Sequence, residues 1–313
     1  MQKQVSKIIV VMGPTSSGKS SAALELAKKF NGEIISADSR QVYRKMNIGT
    51  GKVPGIWSMK REVFLSEKIP HHLIDVADPM EDFNVSHFKT LAEKAIVEIL
   101  GKGKVPIICG GTGFWIDAVV KNVSIPEVAP DPELREILEK QSLEELFLQL
   151  QKLDPERANN IDSKNKVRLV RAIEICKAIG KVPNHKTWSM EHGASNKEYN
   201  FLQIGIKIER KELNEKIQKR LDERFDEGMI TEVQSLHENG TTWQWMERIG
   251  LEYRWVSRFL QDQISEKEMR EKLYFDIIHY AKRQMTWLKR NKEIIWIENY
   301  SGIENEVAKF LKK

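Results

Sequence analysis

Cysteine is scarce in this chain: Cys109 and Cys176 are the only two among 313 residues. Two isolated thiols cannot form a zinc-ligand set or a disulfide framework, so both are expected to be buried in a reducing compartment. Long apolar runs are absent as well. No stretch approaches the ~18 uninterrupted apolar residues of a membrane span, and the apolar run near the N-terminus is too short for a signal peptide. A cytoplasmic protein with no membrane association is the expectation. A strong charge imbalance is also missing, since 50 basic residues face 45 acidic ones for a net charge of +5. Total charge alone therefore points to no polyanionic partner. Internal repeats and low-complexity segments are not found.

The chain does carry 41% apolar residues, enough for one full α/β core and a smaller lobe. Residues 8–12 (IIVVM) form a short β-branched apolar run, as expected of a buried parallel strand. EIIS at 33–36, VPIIC at 105–109, LQIGIKI at 202–208 and IIWI at 294–297 are further strand candidates, separated by helical patterns. This alternation predicts a doubly wound parallel sheet. From 121 to 200 the strand signal gives way to helices punctuated by prolines, so that an all-helical lobe is inserted into a core of residues 1–120 and 201–313. A long helical C-terminal region spans 210–290.

GPTSSGKS at 13–20 fits G-x-x-x-x-G-K-[ST], with an apolar strand before it and a helix after it. Gly13, Thr15, Ser16, Ser17 and Gly18 would turn backbone N–H groups toward an anion at a helix N-terminus. Lys19 would neutralise phosphate oxygens, and the Ser20 hydroxyl would ligate Mg2+. The loop fixes diphosphate binding but not the reaction.

Asp38 follows the EIIS strand, at the strand edge where open α/β sheets bind ligands. Two roles compete for it: holding magnesium through water, or accepting a proton from a nucleophile. A third reading has it merely capping the next segment with Ser39. VPIIC runs into GGTG at 110–113, which brings Thr112 to the same crevice, and this strand carries no acid where a Walker-B aspartate is usual. Arg220 and Arg224, four apart on a helix, share a face and either clamp phosphate or pair with nearby glutamates.

Two stretches are basic. Residues 163–181 hold six basic residues and one acid, with Arg168 and Arg171 on one face. Residues 280–292 hold five basic residues and no acid, with Arg283, Trp287 and Arg290 on one stripe, a mix of phosphate contact and stacking surface suited to RNA.

Taken in order, GPTSSGKS, ISADSRQVYRKMNIGTGK, PHHLIDVADP, IICGGTG, VRLVRAIEI, RLDERFDEGMITEV and AKRQMTWLKR resemble the motif set of the bacterial tRNA dimethylallyltransferases, the tRNA isopentenyltransferase family. The resemblance implies a P-loop NTPase-like core. It also implies transfer of a dimethylallyl group from dimethylallyl diphosphate to the exocyclic amine of the adenosine 3′ of the anticodon. The phosphate loop would then hold the leaving diphosphate. By the same resemblance Asp38 accepts the amine proton, Thr112 bonds the bridging oxygen and Arg220 contacts the diphosphate, with Arg224 beside it. Ser39, Arg40 and Gln41 touch the RNA near the target base, and the Arg283, Gln284, Trp287 and Arg290 segment faces tRNA. The 121–200 lobe contacts the anticodon stem loop, and the protein is expected to be a monomer. Two positions depart from the family pattern: Val167 stands where Gln is common, and Leu251 falls in a segment that usually carries Tyr-Lys-Glu. Two other readings use the same phosphate loop: a small-molecule kinase, and an isopentenyltransferase of free adenylates.

Overall fold

The computed structural model describes residues 5–60, 62–126, 128–183 and 199–312. It divides into two compact units, one of Met1–Val120 with Asn196–Lys313 and one of Lys121–Ser195. The last part of the expected insertion, 184–198, lies outside the described residues.

The first unit is built on an eight-stranded sheet in the order β3-β4-β5-β2-β6-β1-β7-β8. The strands are β1 Ser6–Met12, β2 Gly32–Ala37, β3 Ile56–Ser58, β4 Val63–Ser66, β5 Ile69–His72, β6 Val105–Gly110, β7 Tyr199–Ile206 and β8 Ile295–Ile297. From β5 to β8 all neighbours are parallel, whereas β3, β4 and β5 pair antiparallel at the edge. That edge was not expected: IWS, VFLS and IPHH are too short to show a period, and Pro70 within β5 speaks against a strand.

The central strands are buried on both faces, which is why β1 reads as an unbroken apolar run. Its residues still alternate between two cores. Ile8, Val10 and Met12 join Ile35 and Ile108 on one face, and Ile9 and Val11 join Ile34, Ile107 and Ile204 on the other. The second face is covered by α1 Lys19–Lys29 and by the C-terminal helix Tyr300–Lys312. The first is covered by α2 Val85–Gly101, α3 Gly113–Val120 and the helices that follow β7.

Those later helices, preceded by α4 to α7 of the second unit, are α8 Arg210–Asp226, α9 Met229–Glu238, α10 Trp243–Ile249, α11 Leu251–Leu260 and α12 Glu266–Leu288, with α13 the C-terminal helix. The break between α10 and α11 is made by Gly250 at φ 84, followed by Leu251 at φ 47. The left-handed Leu251 is strained, and it lines the central cavity described below.

The second unit packs α4 Pro132–Glu139, α5 Leu143–Leu153, α6 Pro155–Asn160 and α7 Lys166–Ile179 around Leu138, Leu146, Leu150, Leu169 and Ile173. Asp131, Ser142, Asp154 and Asn165 each cap a helix N-terminus. Strand β7 then returns the chain to the sheet at Tyr199, and β8 adds a parallel edge strand through Ile204–Ile295 to Ile206–Ile297.

Candidate active site

Three parallel strands end together. β1 runs into the phosphate loop at Gly13, β2 into Asp38 and β6 into Gly111, each at its C-terminal end. Above them lies a cavity of about 400 Å3, lined by Thr15, Lys19, Ser20, Asp38, Thr50, Gly51, Arg220, Arg224 and Tyr280 among others.

The phosphate loop closes through Ser17 N donating to Pro14 O at 3.3 Å, with Ser16 at φ 60 and Gly18 at φ 87 giving the left-handed backbone that opens α1. The hydroxyl oxygens of Ser16 and Ser17 are buried without a hydrogen-bond partner. Lys19 Nζ donates to Pro14 O at 3.2 Å, and burial lowers its ammonium from the ordinary value. Such a loop is complementary to an anion in its lap.

Asp38 Oδ1 accepts from the backbone N–H of Arg40 at 2.9 Å and more loosely from Gln41 at 3.4 Å, fixing the turn after β2. Thr112 is stitched to the same turn: its Oγ1 accepts from Ser39 N at 3.2 Å, and its own N–H donates to Ala37 O at 3.3 Å. Asp38 and Thr112 are thereby held on neighbouring strand ends.

Arg220 Nη2 donates to Thr15 Oγ1 at 3.0 Å, so α8 reaches the phosphate loop. Burial, with Arg224 beside it, pushes the Arg220 guanidinium down to about 9, still charged at neutral pH. Arg224 is 4% exposed and pairs through Nη1 with Glu252, while its Nη2 is buried without a partner. Of the two adjacent guanidiniums beside the anion-binding loop, Arg224 pairs with a carboxylate and Arg220 bonds a neutral hydroxyl. The surplus positive charge there calls for a bound anion.

The IPP transferase family model matches residues 41–291. The chain belongs to the IPP transferase family. It is 38% identical over 99% of its length to tRNA dimethylallyltransferase 2 of Citrifermentans bemidjiense, of which 97% is covered. It is 40% identical to tRNA dimethylallyltransferase 1 of Syntrophus aciditrophicus, over 96% of this chain and 97% of that one. Among solved structures, the tRNA isopentenylpyrophosphate transferase of Bacillus halodurans superposes with a TM-score of 0.69 at 32% identity, covering 98% of this chain and 97% of that chain. A eukaryotic dimethylallyltransferase acting on tRNA superposes with a TM-score of 0.74 at 27% identity, covering 94% of this chain and 74% of that chain. The fold is the P-loop NTPase-like α/β fold shared by these IPP transferases.

The remaining expected residues lie partly at the cavity and partly away from it. Arg40 and Ser39 line the cavity, and Arg283 lines it with an exposed side chain on α12. Arg290 is exposed and lies over the Trp287 ring at 5.6 Å. Arg168 is exposed on α7 in the second unit.

Gln41 and Gln284 also line the cavity, and with the partly buried Trp287 and Arg171 they make hydrogen bonds within the protein. Gln41 Oε1 accepts from Ser36 Oγ at 3.0 Å, and Nε2 donates to Gly51 O at 3.1 Å. Gln284 is 6% exposed; Oε1 accepts from Thr15 N at 2.8 Å and Nε2 donates to Gly111 O at 3.0 Å. Gly111 is required by this contact, because a Cβ there would sit 2.2 Å from Gln284 Nε2. Trp287 Nε1 donates to Asp117 Oδ2 at 2.9 Å, which ties α12 to α3. Arg171 Nη2 donates to Val128 O at 2.8 Å and Nη1 to the buried Glu174, which Arg135 grips at 2.7 and 2.9 Å.

Glu252, Glu232, Tyr253 and Tyr280 were not singled out from the sequence. Tyr280 lines the same cavity as Asp38, and burial raises its phenol. It opens the basic stretch 280–292, which was the one available signal.

Among the described residues no helix is long and apolar enough to cross a membrane.

Proposed function

We propose that the protein transfers a dimethylallyl group from dimethylallyl diphosphate to the exocyclic amine of an adenosine in tRNA, releasing diphosphate. The observation that carries this reading is the Arg220–Arg224 pair beside the phosphate loop in the cavity that Asp38 also lines, with Thr112 bonded to the Asp38 turn from the adjoining strand end. Breaking the allylic carbon–oxygen bond moves negative charge onto the diphosphate. Lys19, Arg220, Arg224 and the loop N–H groups then stabilise the transition state more than the ground state. Thr112 donates to the bridging oxygen as it leaves. Asp38 takes the proton from the adenine nitrogen as the new carbon–nitrogen bond forms.

The residues present fit Mg2+. Among the described residues no group of three His, Cys, Asp or Glu could hold a metal, but Mg2+ bound mainly through ligand phosphates and water needs only a hydroxyl such as Ser20, with Asp38 at the same cavity. When bound, it supplies further charge neutralisation at the leaving diphosphate.

A base inside the anticodon stack cannot reach Asp38, so the adenosine 3′ of the anticodon must be withdrawn from its stack. Ser39, Arg40 and Arg283 at the cavity, with Arg290 on the same helix as Arg283, are assigned to the RNA. Residues 121–200, through Arg168, are assigned to the anticodon stem loop. The protein is assigned as a monomer acting in the cytoplasm. The absence of an acid on β6 weighs against a standard kinase.

Mass analysis of tRNA nucleosides from cells with and without this gene tests the reading. Loss of prenylated adenosine without the gene supports it, and an unchanged nucleoside profile overturns it.

A further inference from the structure

The segment 47–52 forms a tight strap over one wall of the cavity, closed by Gly51 N donating to Ile48 O at 3.0 Å and Lys52 N to Asn47 O at 3.1 Å. Three successive backbone N–H groups of this strap converge on one carboxylate. Glu232, on the first turn of α9, accepts from Asn47 N at 2.7 Å, Ile48 N at 2.7 Å and Gly49 N at 3.0 Å. The Tyr253 hydroxyl donates to the same carboxylate at 2.8 Å. Tyr253 is buried, and burial together with Glu232 holds its phenol well above the ordinary value, so it stays a donor. A carboxylate with four donors is a strong fixed point, because each bond to a charged acceptor exceeds a neutral one.

The far end of the strap meets the arginines. Gly51, at φ 61, lies so close to them that a Cβ would stand 2.1 Å from Arg224 Nη2 and 3.2 Å from Arg220 Nη2. Gln41 Nε2 holds Gly51 O at 3.1 Å, and Lys52 Nζ donates to Tyr43 O at 2.6 Å and to Asn47 Oδ1 at 3.0 Å. The backbone at Gly51 thus limits where both guanidiniums can go, and Glu232 limits where that backbone can go.

We infer that Glu232 is a positioning residue for the diphosphate pocket: it holds the 47–52 strap so that Gly51 closes over Arg220 and Arg224 and fixes their guanidiniums toward the phosphate loop. Glu232 does not line the cavity and touches no reacting atom. The inference rests on the prenyl-transfer reading for the identity of the anion.

The test measures the dissociation constant for inorganic diphosphate with Mg2+, and KM for dimethylallyl diphosphate and for tRNA. The proteins are wild type, Glu232→Gln, Gly51→Ala and the double variant. A glutamine cannot accept from all four donors, so Glu232→Gln should weaken diphosphate binding by about tenfold or more and raise the donor KM in step. The tRNA KM should stay within about twofold. Gly51→Ala should move the same two quantities, and the double variant should fall short of the product of the singles, because both act through one contact.

A folded Glu232→Gln protein with wild-type diphosphate affinity would overturn the inference, as would an equal rise in both KM values. Should that variant not fold, Tyr253→Phe, which removes one of the four donors, is read by the same two outcomes. Failure of the wild type to bind diphosphate or to prenylate tRNA is a separate result, which refutes the parent reading instead.

Discussion

Replacing Gln284 with methionine keeps most of the side-chain volume and deletes the carboxamide that joins the phosphate loop to the β6 turn. Two groups lose their partner: the Thr15 N–H, now at 2.8 Å from Oε1, and the Gly111 carbonyl, now at 3.0 Å from Nε2. An orphaned buried polar group costs about 1–3 kcal/mol. Thr15 borders the cavity, where water can replace part of its bond, so the sum comes to about 2–4 kcal/mol. In a chain of this size each kcal/mol lowers Tm by roughly 2 °C, giving a fall of roughly 4–8 °C by thermal melting. The Thr15 N–H also belongs to the anion-binding loop, so the donor KM should rise severalfold while the tRNA KM holds. A melting curve matching wild type, with only the tRNA KM altered, would place the carboxamide on the RNA and refute this reasoning.

Other perturbations separate the remaining roles. Asp38→Asn should lower kcat by two or more orders of magnitude and leave the tRNA dissociation constant within about twofold, as loss of a general base does; unchanged single-turnover kinetics would remove Asp38 from that role. Arg283→Ala should weaken tRNA binding and flatten the dependence of log K on log salt by about one unit, which a salt titration reads directly. Glu33 should contribute to acid stability. Burial alone would raise its carboxyl, but bonds from His72 and Lys104, with Lys102 nearby, hold it down to about 2. Its folded value lies below the ordinary one, so the stabilisation is present above about pH 4.5 and is lost as pH falls toward 2. Melting curves of Glu33→Gln should therefore lose part of the wild-type pH dependence in that window, and superimposable pH profiles would contradict the assignment.

Legibility from sequence followed locality. The phosphate loop, β1 and α1 are specified within about twenty consecutive residues by glycine spacing and a β-branched run, and they stand where expected. Asp38 and Thr112 were legible because each follows a buried strand, and parallel strands deliver their C-terminal ends to one edge. The pairings that complete the site are not local. Arg224 with Glu252, Gln284 with Thr15 and Glu232 with Asn47 are 28, 269 and 185 residues apart, and no periodicity carries such information. The partners that Arg171 and Trp287 find in Glu174 and Asp117 were likewise not legible, although both side chains stay partly exposed. The β3–β4–β5 edge was missed because strands of three or four residues show no alternation to count.

The central claim is that the anion leaves as diphosphate from carbon while an adenine nitrogen gains the allyl group. Incubating the purified protein with Mg2+, tRNA and dimethylallyl diphosphate, and analysing both products, tests it most directly. The account predicts one inorganic diphosphate released for each dimethylallyl group found on adenosine, with no requirement for ATP. Release of ADP from ATP with tRNA left unprenylated would contradict it.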